Sequence, residues 1–438
     1  SAASDVYKRQ YQSYKIMFLE NIYLAGYAIA WITLTALYII RTKGVGLGGM
    51  LLITYSLSAL MSIVFFGGMG AFLTEGADIS WQPLLYLFLT INICLFPILR
   101  HSKDLRSIPF RDNGKGVRFL KYFILICSPF IIEAFLEMGM IAVSTSTSSL
   151  GGIYESEGDV VGDKLSFFGR KTMAIVRWFT YVWPILFFYF LNKGKQGKKS
   201  MWLSFLACFC VVLEAYAGAS RVAIVRYLMY MFIIFVLFRV NMAKELQHKI
   251  INLFIFIGGF LIVLLSLITI SRFAMGGGGD NNDIWTWIAL YIGESPIRFC
   301  QYLWDVKATM QGDNSFALFK NLLGMDTITD LEERREYYEL HLGIPNRIFY
   351  SFIGDFFFDL GKYLTLIFTF LFSFSLDHYI RNILKRGYYT MPSLLILAMI
   401  ILVLEFGIMY FCFKLYIVQI LLIPNFILVY LYSLQKKM

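Results

Sequence analysis

The chain has 438 residues, of which 58% are hydrophobic and 16% are charged, and its formal net charge is +10. A soluble protein carries about a quarter charged residues, and a soluble chain of this length divides into two or three domains. An ordinary soluble fold is excluded, because the apolar residues gather into runs of about twenty, the length that a helix needs to cross a bilayer.

These apolar stretches recur along the chain and predict an all-α, polytopic integral membrane protein with about 11 transmembrane helices. Residues 1–15 resemble nothing downstream and are treated as a tail outside the fold. Helices 1–8 are expected within 16–270 and helices 9–11 within 361–438. The predicted spans are 16–40, 50–72, 83–99, 119–142, 172–191, 201–218, 222–238, 250–270, 361–380, 393–412 and 415–434.

Two longer connections separate these spans. Residues 144–171 are rich in Ser, Thr and Gly, which is typical of a mobile loop. Residues 271–360 are predicted to form a large periplasmic loop that contains short helices. Within it, 285–304 mixes aromatic and charged residues, which favours an interfacial or re-entrant helix. The highly charged stretch 329–341 predicts a solvated helix.

The distribution of charge predicts the sidedness of the protein. One set of connecting segments carries 21 Lys and Arg residues but three acids. Because basic residues collect in cytoplasmic loops, this set is predicted to face the cytoplasm, with the C-terminus inside and the N-terminus outside. Its segments are 41–49, 100–121, 192–200, 239–249, 381–390 and 435–438. They lack the interleaved aromatic residues of a nucleic-acid groove, so no nucleic acid is expected as a partner.

The six cysteines predict neither a disulfide framework nor a metal site. They show no CxxC spacing, and five lie inside apolar stretches, where a cysteine behaves as a small hydrophobic residue. No other residues show the spacing of a known metal site, so no metal or other cofactor is expected.

Arginines near the predicted outer membrane surface are the first candidates for function. A guanidinium group binds phosphate through two parallel hydrogen bonds and stays charged when partly buried. Several of them at one face of the bilayer would bind a lipid-linked pyrophosphate; the alternative is that each extends to lipid headgroups. The arginines are Arg177, Arg221, Arg226, Arg272 and Arg298.

Polar residues in the outer connection are further candidates. His341 is the one histidine on the predicted outer side and is a candidate catalytic base. Tyr291, Glu294 and Asp359 belong to the same set. Glu294 and Arg298 are four residues apart, so they could equally form a surface ion pair.

Acids inside the predicted spans form a separate set: Glu133, Glu137, Glu214 and Glu405. A carboxylate at the centre of a bilayer costs about 2.5–3.5 kcal/mol on insertion scales. Such residues therefore face a cavity or a partner, and their role is either functional or that of a structural ion pair or hydrogen bond.

Short motifs in a fixed order resemble those of the O-antigen (Wzy-type) polymerases, which polymerise oligosaccharide repeat units. The resemblance covers most of the chain, including the number of spans and the larger loop before the last three. The motifs are Phe168-Gly-Arg-Lys171, Gly218-Ala-Ser-Arg221, Ile270-Ser-Arg-Phe273, Tyr291-Ile-Gly-Glu294 with Phe299, and Asn346 followed by Asp359-Leu-Gly361.

The resemblance implies a metal-independent glycosyltransferase of the bacterial inner membrane that acts at its periplasmic face. The donor would be a chain on undecaprenyl pyrophosphate and the acceptor a lipid-linked repeat unit, with a chain-length regulator as a further membrane partner. Arg221, Arg272 and Arg298 would stabilise the leaving pyrophosphate. Either Glu294 or His341 would be the base. The aromatic residues Tyr291, Trp285 and Trp287 would stack on sugars.

The sequence leaves two alternative functions open. An O-antigen ligase-like transferase shares the span count, the large outer loop and the arginines, and differs in its acceptor. A lipid-linked saccharide flippase or transporter would use the four acids of the spans as a coupling network, although no inverted repeat is detectable.

Overall fold

The structure, a computed structural model, describes residues 2–67, 79–111, 114–145, 160–218, 220–274, 284–344 and 350–435. Within these ranges the chain forms helices and no β-strand, and one isolated β-bridge joins Phe110 to Tyr389. The predicted all-α class is confirmed.

The α-helices of these ranges are numbered in chain order. They are α1 (Ala2–Thr42), α2 (Gly46–Gly67), α3 (Trp81–Leu105), α4 (Gly114–Ser144), α5 (Val160–Lys164), α6 (Phe167–Trp178), α7 (Trp183–Asn192), α8 (Lys198–Ala217), α9 (Arg221–Phe238), α10 (Lys244–Ala274), α11 (Ile284–Arg298), α12 (Ala317–Leu322), α13 (Leu331–Leu342), α14 (Phe352–Arg386), α15 (Met391–Phe406) and α16 (Tyr416–Leu434).

Eight helices of the described residues are long and apolar enough to cross a membrane, or nine if the bent pair α6–α7 is one span. The chain is therefore a membrane protein with several spans. The eight are Glu20–Thr42 of α1, α2, α3, α4, Gly194–Ala217, Val222–Asn241, α14 and α16. Two other predicted spans coincide with helices outside this set: 250–270 lies within α10, and 393–412 overlaps the 16-residue helix α15.

The structure corrects the predicted end of the span 393–412. Helix α15 ends at Phe406, and turns with a 3-10 helix at Cys412–Lys414 occupy the rest. The amide of Phe352 donates a hydrogen bond of 2.6 Å to the carbonyl oxygen of Gly407. The segment between α15 and α16 is therefore held by the start of α14 instead of continuing as helix.

The chain forms two compact units, each made of separate stretches of sequence. Unit 1 comprises Ser1–Ser102, Gly279–Ile380 and Val403–Val418, and unit 2 comprises Lys103–Gly278, Arg381–Leu402 and Gln419–Met438. The two units are described separately below.

The core of unit 1 contains an aromatic cluster between α1, α2 and α3. Trp31 stacks on Tyr55 at 4.9 Å between ring centroids and meets Phe88 edge-on at the same distance. Beside this cluster the hydroxyl groups of Thr35 and Ser56 form a hydrogen bond of 2.7 Å. Hydrogen bonds between hydroxyl side chains of this kind join neighbouring transmembrane helices.

Helix α11, in the stretch predicted as interfacial or re-entrant, packs along α2. The Ser58 hydroxyl donates to the carbonyl oxygen of Ile292 at 2.6 Å. A Cβ atom at Gly293 would overlap the backbone of Met61 and Ser62, so only glycine permits this close approach.

Gly361 breaks the long helix α14 near its start. Its φ of 73° lies in the left-handed region, which residues other than glycine rarely adopt. Residues 352–360 therefore form a separate helical segment before the break, although this stretch was expected to be part of the outer loop. This segment carries Asp355 and Asp359, one turn apart.

In unit 2 the predicted span 172–191 is not one straight helix. It is divided into α6 and α7, which meet at an angle of 70°. The bend releases backbone groups from the helical pattern, and the buried side chain of Asn425 binds two of them. Its Oδ1 accepts from the amide of Val182 at 3.1 Å, and its Nδ2 donates to the carbonyl oxygen of Trp178 at 2.8 Å.

We expect Asn425→Leu to destabilise the protein, because the carbonyl group of Trp178 loses its bond to Asn425 and the amide of Val182 keeps only its bond to the carbonyl oxygen of Phe179. The expected loss is about 1–3 kcal/mol for the unpaired carbonyl group. Thermal unfolding of the purified protein in detergent measures it as a lower Tm. The matched control is Ile423→Leu, on an exposed position of the same helix; equal Tm values for the two variants would contradict the role of Asn425.

Candidate functional site

Glu294 and Arg298 on α11 form a buried ion pair in unit 1. The guanidinium Nε donates to the carboxylate at 3.0 Å, and both residues are almost fully buried, at 6% and 5% exposure. Arg298 also donates to the side-chain oxygen of Gln301 at 2.7 Å, and its guanidinium lies 5.6 Å from the ring centre of Tyr302. The predicted spacing is found, but the two residues do not form a surface pair.

The carboxyl group of Glu294 has a strongly perturbed acidity. Helix α11 is not among the membrane-spanning helices. Burial raises the pKa of Glu294 to about 7, while the positive charge of Arg298 acts in the opposite direction. A carboxylate with a pKa near neutrality is suited to accept a proton at physiological pH.

A second buried pair lies on the helical segment before Gly361. Lys414 donates to Oδ1 of Asp355 at 3.1 Å, and the side-chain amide of Asn314 donates to the same oxygen at 2.9 Å. Asp355 is 1% exposed. The charge of Asp355 is therefore balanced by a residue from the irregular segment that follows α15.

Tyr350 connects the two pairs electrostatically. Glu294, Arg298, Tyr302 and Asp355 all lie close enough to act on its hydroxyl, and burial raises the pKa of Tyr350 well above its usual value. Tyr350 therefore keeps its proton and remains a hydrogen-bond donor. We refer to Glu294, Arg298, Tyr302, Tyr350, Asp355 and Lys414 as the inner polar cluster.

Two further side chains shape the backbone next to this cluster. Asp359 accepts hydrogen bonds from the amides of Asn314 at 2.9 Å and Ser315 at 2.6 Å. Arg334 is 1% exposed and donates to three carbonyl oxygens, of Asp313 at 3.0 Å, Asn314 at 3.3 Å and Lys414 at 3.1 Å. Both residues therefore fix the loop that carries Asn314.

Several buried polar atoms in and beside the inner polar cluster have no hydrogen-bond partner among the described residues. They are the hydroxyl of Tyr350, Oδ2 of Asp355 and Nε of Arg334. Buried polar atoms are rarely left unpaired, because each costs about 1–3 kcal/mol. A ligand with hydroxyl or phosphate groups would offer partners to both the donors and the acceptor.

The other predicted residues of unit 1 have different surroundings. His341 is exposed near the end of α13, where its ring stacks on Tyr337 at 4.1 Å, and no described contact joins it to the inner polar cluster. Tyr291 is 39% exposed on α11. Asp359 uses both carboxylate oxygens on backbone amides, which makes it a positioning residue; contact with a substrate stays a prediction.

The remaining predicted arginines belong to unit 2. Arg177 forms an ion pair with Glu214, in which its Nε and one terminal nitrogen both contact the same carboxylate oxygen. The side chains of Arg221 and Arg272 lie outside the described residues, as do Trp285, Trp287 and Asn346. Their predicted roles in substrate binding and catalysis stay predictions.

Three of the four acids of the predicted spans, Glu137, Glu214 and Glu405, have partners inside the protein. Glu405 is 2% exposed and accepts from the hydroxyl of Thr54 at 2.5 Å in unit 1. In unit 2, Glu137 accepts from the amide of Ser166 at 3.2 Å and also from the hydroxyl of that residue. Together with the pair between Arg177 and Glu214, these contacts match the structural alternative for these three acids.

Sequence reasoning missed Lys414, Arg334 and Tyr350. In the sequence, Lys414 is a charged residue directly before the last predicted span. Its position is a weak signal, because the sequence does not show which acid it would pair with. Arg334 stands beside Arg335 in a charged helix, and nothing in the sequence distinguishes the buried residue from the exposed one.

No metal site is evident in the part of the chain that the structure describes, where no group of three His, Cys, Asp or Glu residues could hold an ion. All six cysteines are buried and free in the structure. A comparison with protein-family models, curated proteins and solved structures finds no match for this chain.

We expect Lys414→Met to destabilise the protein by about 3–5 kcal/mol, because it leaves the Asp355 carboxylate buried without its cation. The double variant Lys414→Met/Asp355→Asn should recover much of this loss, since it removes both charges. Thermal and denaturant unfolding in detergent measure the effect.

The matched control is Arg335→Met, which removes a cation from a pair whose acid, Glu332, is 61% exposed. Exposed pairs contribute about 0–1 kcal/mol, so this variant should unfold almost like the wild type. A double variant less stable than Lys414→Met alone would contradict the charge-pair interpretation.

Proposed function

We propose that this protein is a membrane-embedded glycosyltransferase that polymerises undecaprenyl-pyrophosphate-linked oligosaccharide repeat units into O-antigen or a related surface polysaccharide. The proposal combines the resemblance of its sequence motifs to the O-antigen polymerases with the chemistry of the inner polar cluster.

The observation that carries the proposal is the buried pair of Glu294 and Arg298, of which Glu294 belongs to one of the motifs of the resemblance. Glycosyl transfer from a lipid pyrophosphate needs a base for the acceptor hydroxyl and a cation for the leaving group. Glu294 has a pKa suited to the first task, and Arg298 is a buried guanidinium suited to the second. The unpaired donors and acceptor of Tyr350, Asp355 and Arg334 would bind sugar hydroxyls.

The proposed reaction forms a bond between the acceptor hydroxyl oxygen and the anomeric carbon of the donor chain. The bond between that carbon and the pyrophosphate oxygen breaks, and undecaprenyl pyrophosphate leaves with the bonding electron pair. Glu294 takes the hydroxyl proton, with His341 as the other candidate. Arg298, Arg221 and Arg272 stabilise the negative charge of the leaving group; Arg177, Tyr291 and Asp359 are assigned to substrate binding.

The proposed arrangement in the membrane follows from the charge distribution. It has about 11 spans in the bacterial inner membrane, a large periplasmic loop at 271–360 and a cytoplasmic C-terminus. The donor and acceptor lipids would reach the site from the bilayer, and a chain-length regulator would be a second membrane partner. The proposed chemistry needs no metal, cofactor or nucleic acid.

The same chemistry fits an O-antigen ligase-like transferase, which differs in the acceptor. A flippase or transporter is the less supported alternative, because Glu137, Glu214 and Glu405 are each bound to a neighbouring side chain. The purified protein reconstituted with lipid-linked repeat units alone separates the three. A polymerase makes a ladder of products, a ligase needs another acceptor, and a transporter leaves the lipid covalently unchanged.

We expect Arg221→Ala and Arg272→Ala to insert into the membrane normally and to lose long-chain polymer. Removing one preorganised donor to a developing anion lowers the rate by about 10²–10³-fold. The reconstituted ladder assay measures the loss, and Arg106→Ala, in a segment predicted to face the cytoplasm, is the control. Full-length polymer from either variant would remove that arginine from the site.

The pH dependence of the reaction tests Glu294. A base must be unprotonated, so kcat/KM should rise with pH and level off above about 7, the pKa of Glu294. Glu294→Gln can still accept the hydrogen bond of Arg298 but cannot take a proton, so it should lower the rate above pH 7 by about 10²–10⁴-fold and remove the rise of the rate with pH. If His341→Ala has this effect and Glu294→Gln does not, His341 is the base.

A further inference from the structure

Unit 2 has a cavity of about 270 Å³ that is open to the surface and lined mainly by polar residues, among them the exposed residues Arg118, Lys121 and Gln196. One wall comes from the first turns of α4 and the other from the turn that precedes α8. The lining residues are Gly114, Val117, Arg118, Lys121, Lys193 and Gln196.

The charge of this cavity is uniformly positive. Arg118, Lys121 and Lys193 supply three cations, and none of the six lining residues is acidic. Helix α4 begins at Gly114, so the amides of its first turn add partial positive charge. The cavity is therefore suited to an anion, and its guanidinium and ammonium groups are typical phosphate ligands.

The cavity lies where two membrane-spanning helices begin. Both α4 and Gly194–Ala217 are long and apolar enough to cross a membrane, and the lining residues fall at or just before their first two turns. This position corresponds to the headgroup region of a bilayer. Basic pockets between transmembrane helices at this depth bind anionic lipid headgroups.

The face of α4 that continues from the cavity is exposed and apolar. Tyr122 and Leu125 follow Arg118 by four and seven residues, so all three share one side of the helix. Tyr122, Leu125 and Ile126 are 65%, 63% and 69% exposed. An amphiphilic ligand would place its charged group among the cations and its hydrocarbon chain along this face.

We propose that this cavity is a binding site for the phosphate headgroup of an anionic phospholipid, with Arg118 and Lys121 as its main ligands. Lys193 and Gln196 line the opposite wall of the site, and the acyl chains lie on Tyr122, Leu125 and Ile126. The site is distinct from the proposed glycosyltransferase chemistry and does not depend on it.

The test uses the purified full-length protein in neutral detergent, titrated with cardiolipin and followed by native mass spectrometry. We expect Arg118→Gln/Lys121→Gln to raise the Kd by about 30-fold, because each basic residue near an anionic headgroup contributes about fivefold. The matched control is Lys198→Gln/Lys199→Gln, which removes two exposed cations of α8 that do not line the cavity, and it should keep the wild-type Kd. Lys193→Gln tests the opposite wall independently and should raise the Kd by about fivefold.

Two further titrations distinguish a lipid phosphate from a soluble phosphate as the ligand. Phosphatidylcholine, which has no net charge, should bind much more weakly than cardiolipin. Sodium pyrophosphate at matched ionic strength should neither bind with the affinity of cardiolipin nor displace it. If it does, the ligand is a soluble phosphate and the lipid assignment is overturned. Equal losses in the two double variants would also overturn it, because they would show diffuse attraction instead of a site.

Discussion

The burial of charged and polar groups among apolar side chains is the constraint on which the structure of this protein depends. A charge or an unpaired backbone group in an apolar medium has to find its partner within the protein. In unit 1 this requirement is met by opposite charges, with Glu294 beside Arg298 and Asp355 beside Lys414. The inner polar cluster is thus close to neutral as a whole, although its members are ionisable.

The same constraint explains how irregular backbone is tolerated next to membrane-spanning helices. Asp359 and Arg334 bind the amides and carbonyl groups of the loop that carries Asn314, and Asn425 does the same for the bend between α6 and α7. In each case one buried polar side chain supplies hydrogen bonds that a regular helix would supply by itself. These side chains therefore stabilise the irregular backbone, in addition to any role that they have in a functional site.

Eight of the predicted spans, or nine with the bent pair α6–α7, coincide with helices long and apolar enough to cross a membrane, because a run of about twenty apolar residues is a property of local composition. The bend in 172–191 was missed because hydropathy carries no information on the direction of a helix axis. Pro184 in the first turn of α7 is a local signal that a new helix begins there. The pair of Glu294 and Arg298 follows from helical spacing. Asp355 and Lys414 are 59 residues apart, so their pairing depends on the tertiary fold and could not be read from either residue.

The contacts of Asn425 have a consequence for biosynthesis. A ribosome completes α6 and α7 long before it reaches residue 425, so during translation the backbone groups of Val182 and Trp178 lack the side chain that later binds them. The nascent bend has to rely on water, lipid headgroups or the insertion machinery until α16 emerges. The bend is therefore consolidated only after α16 has been made, and a chain that lacks α16 would have the two halves of the bend without this shared partner.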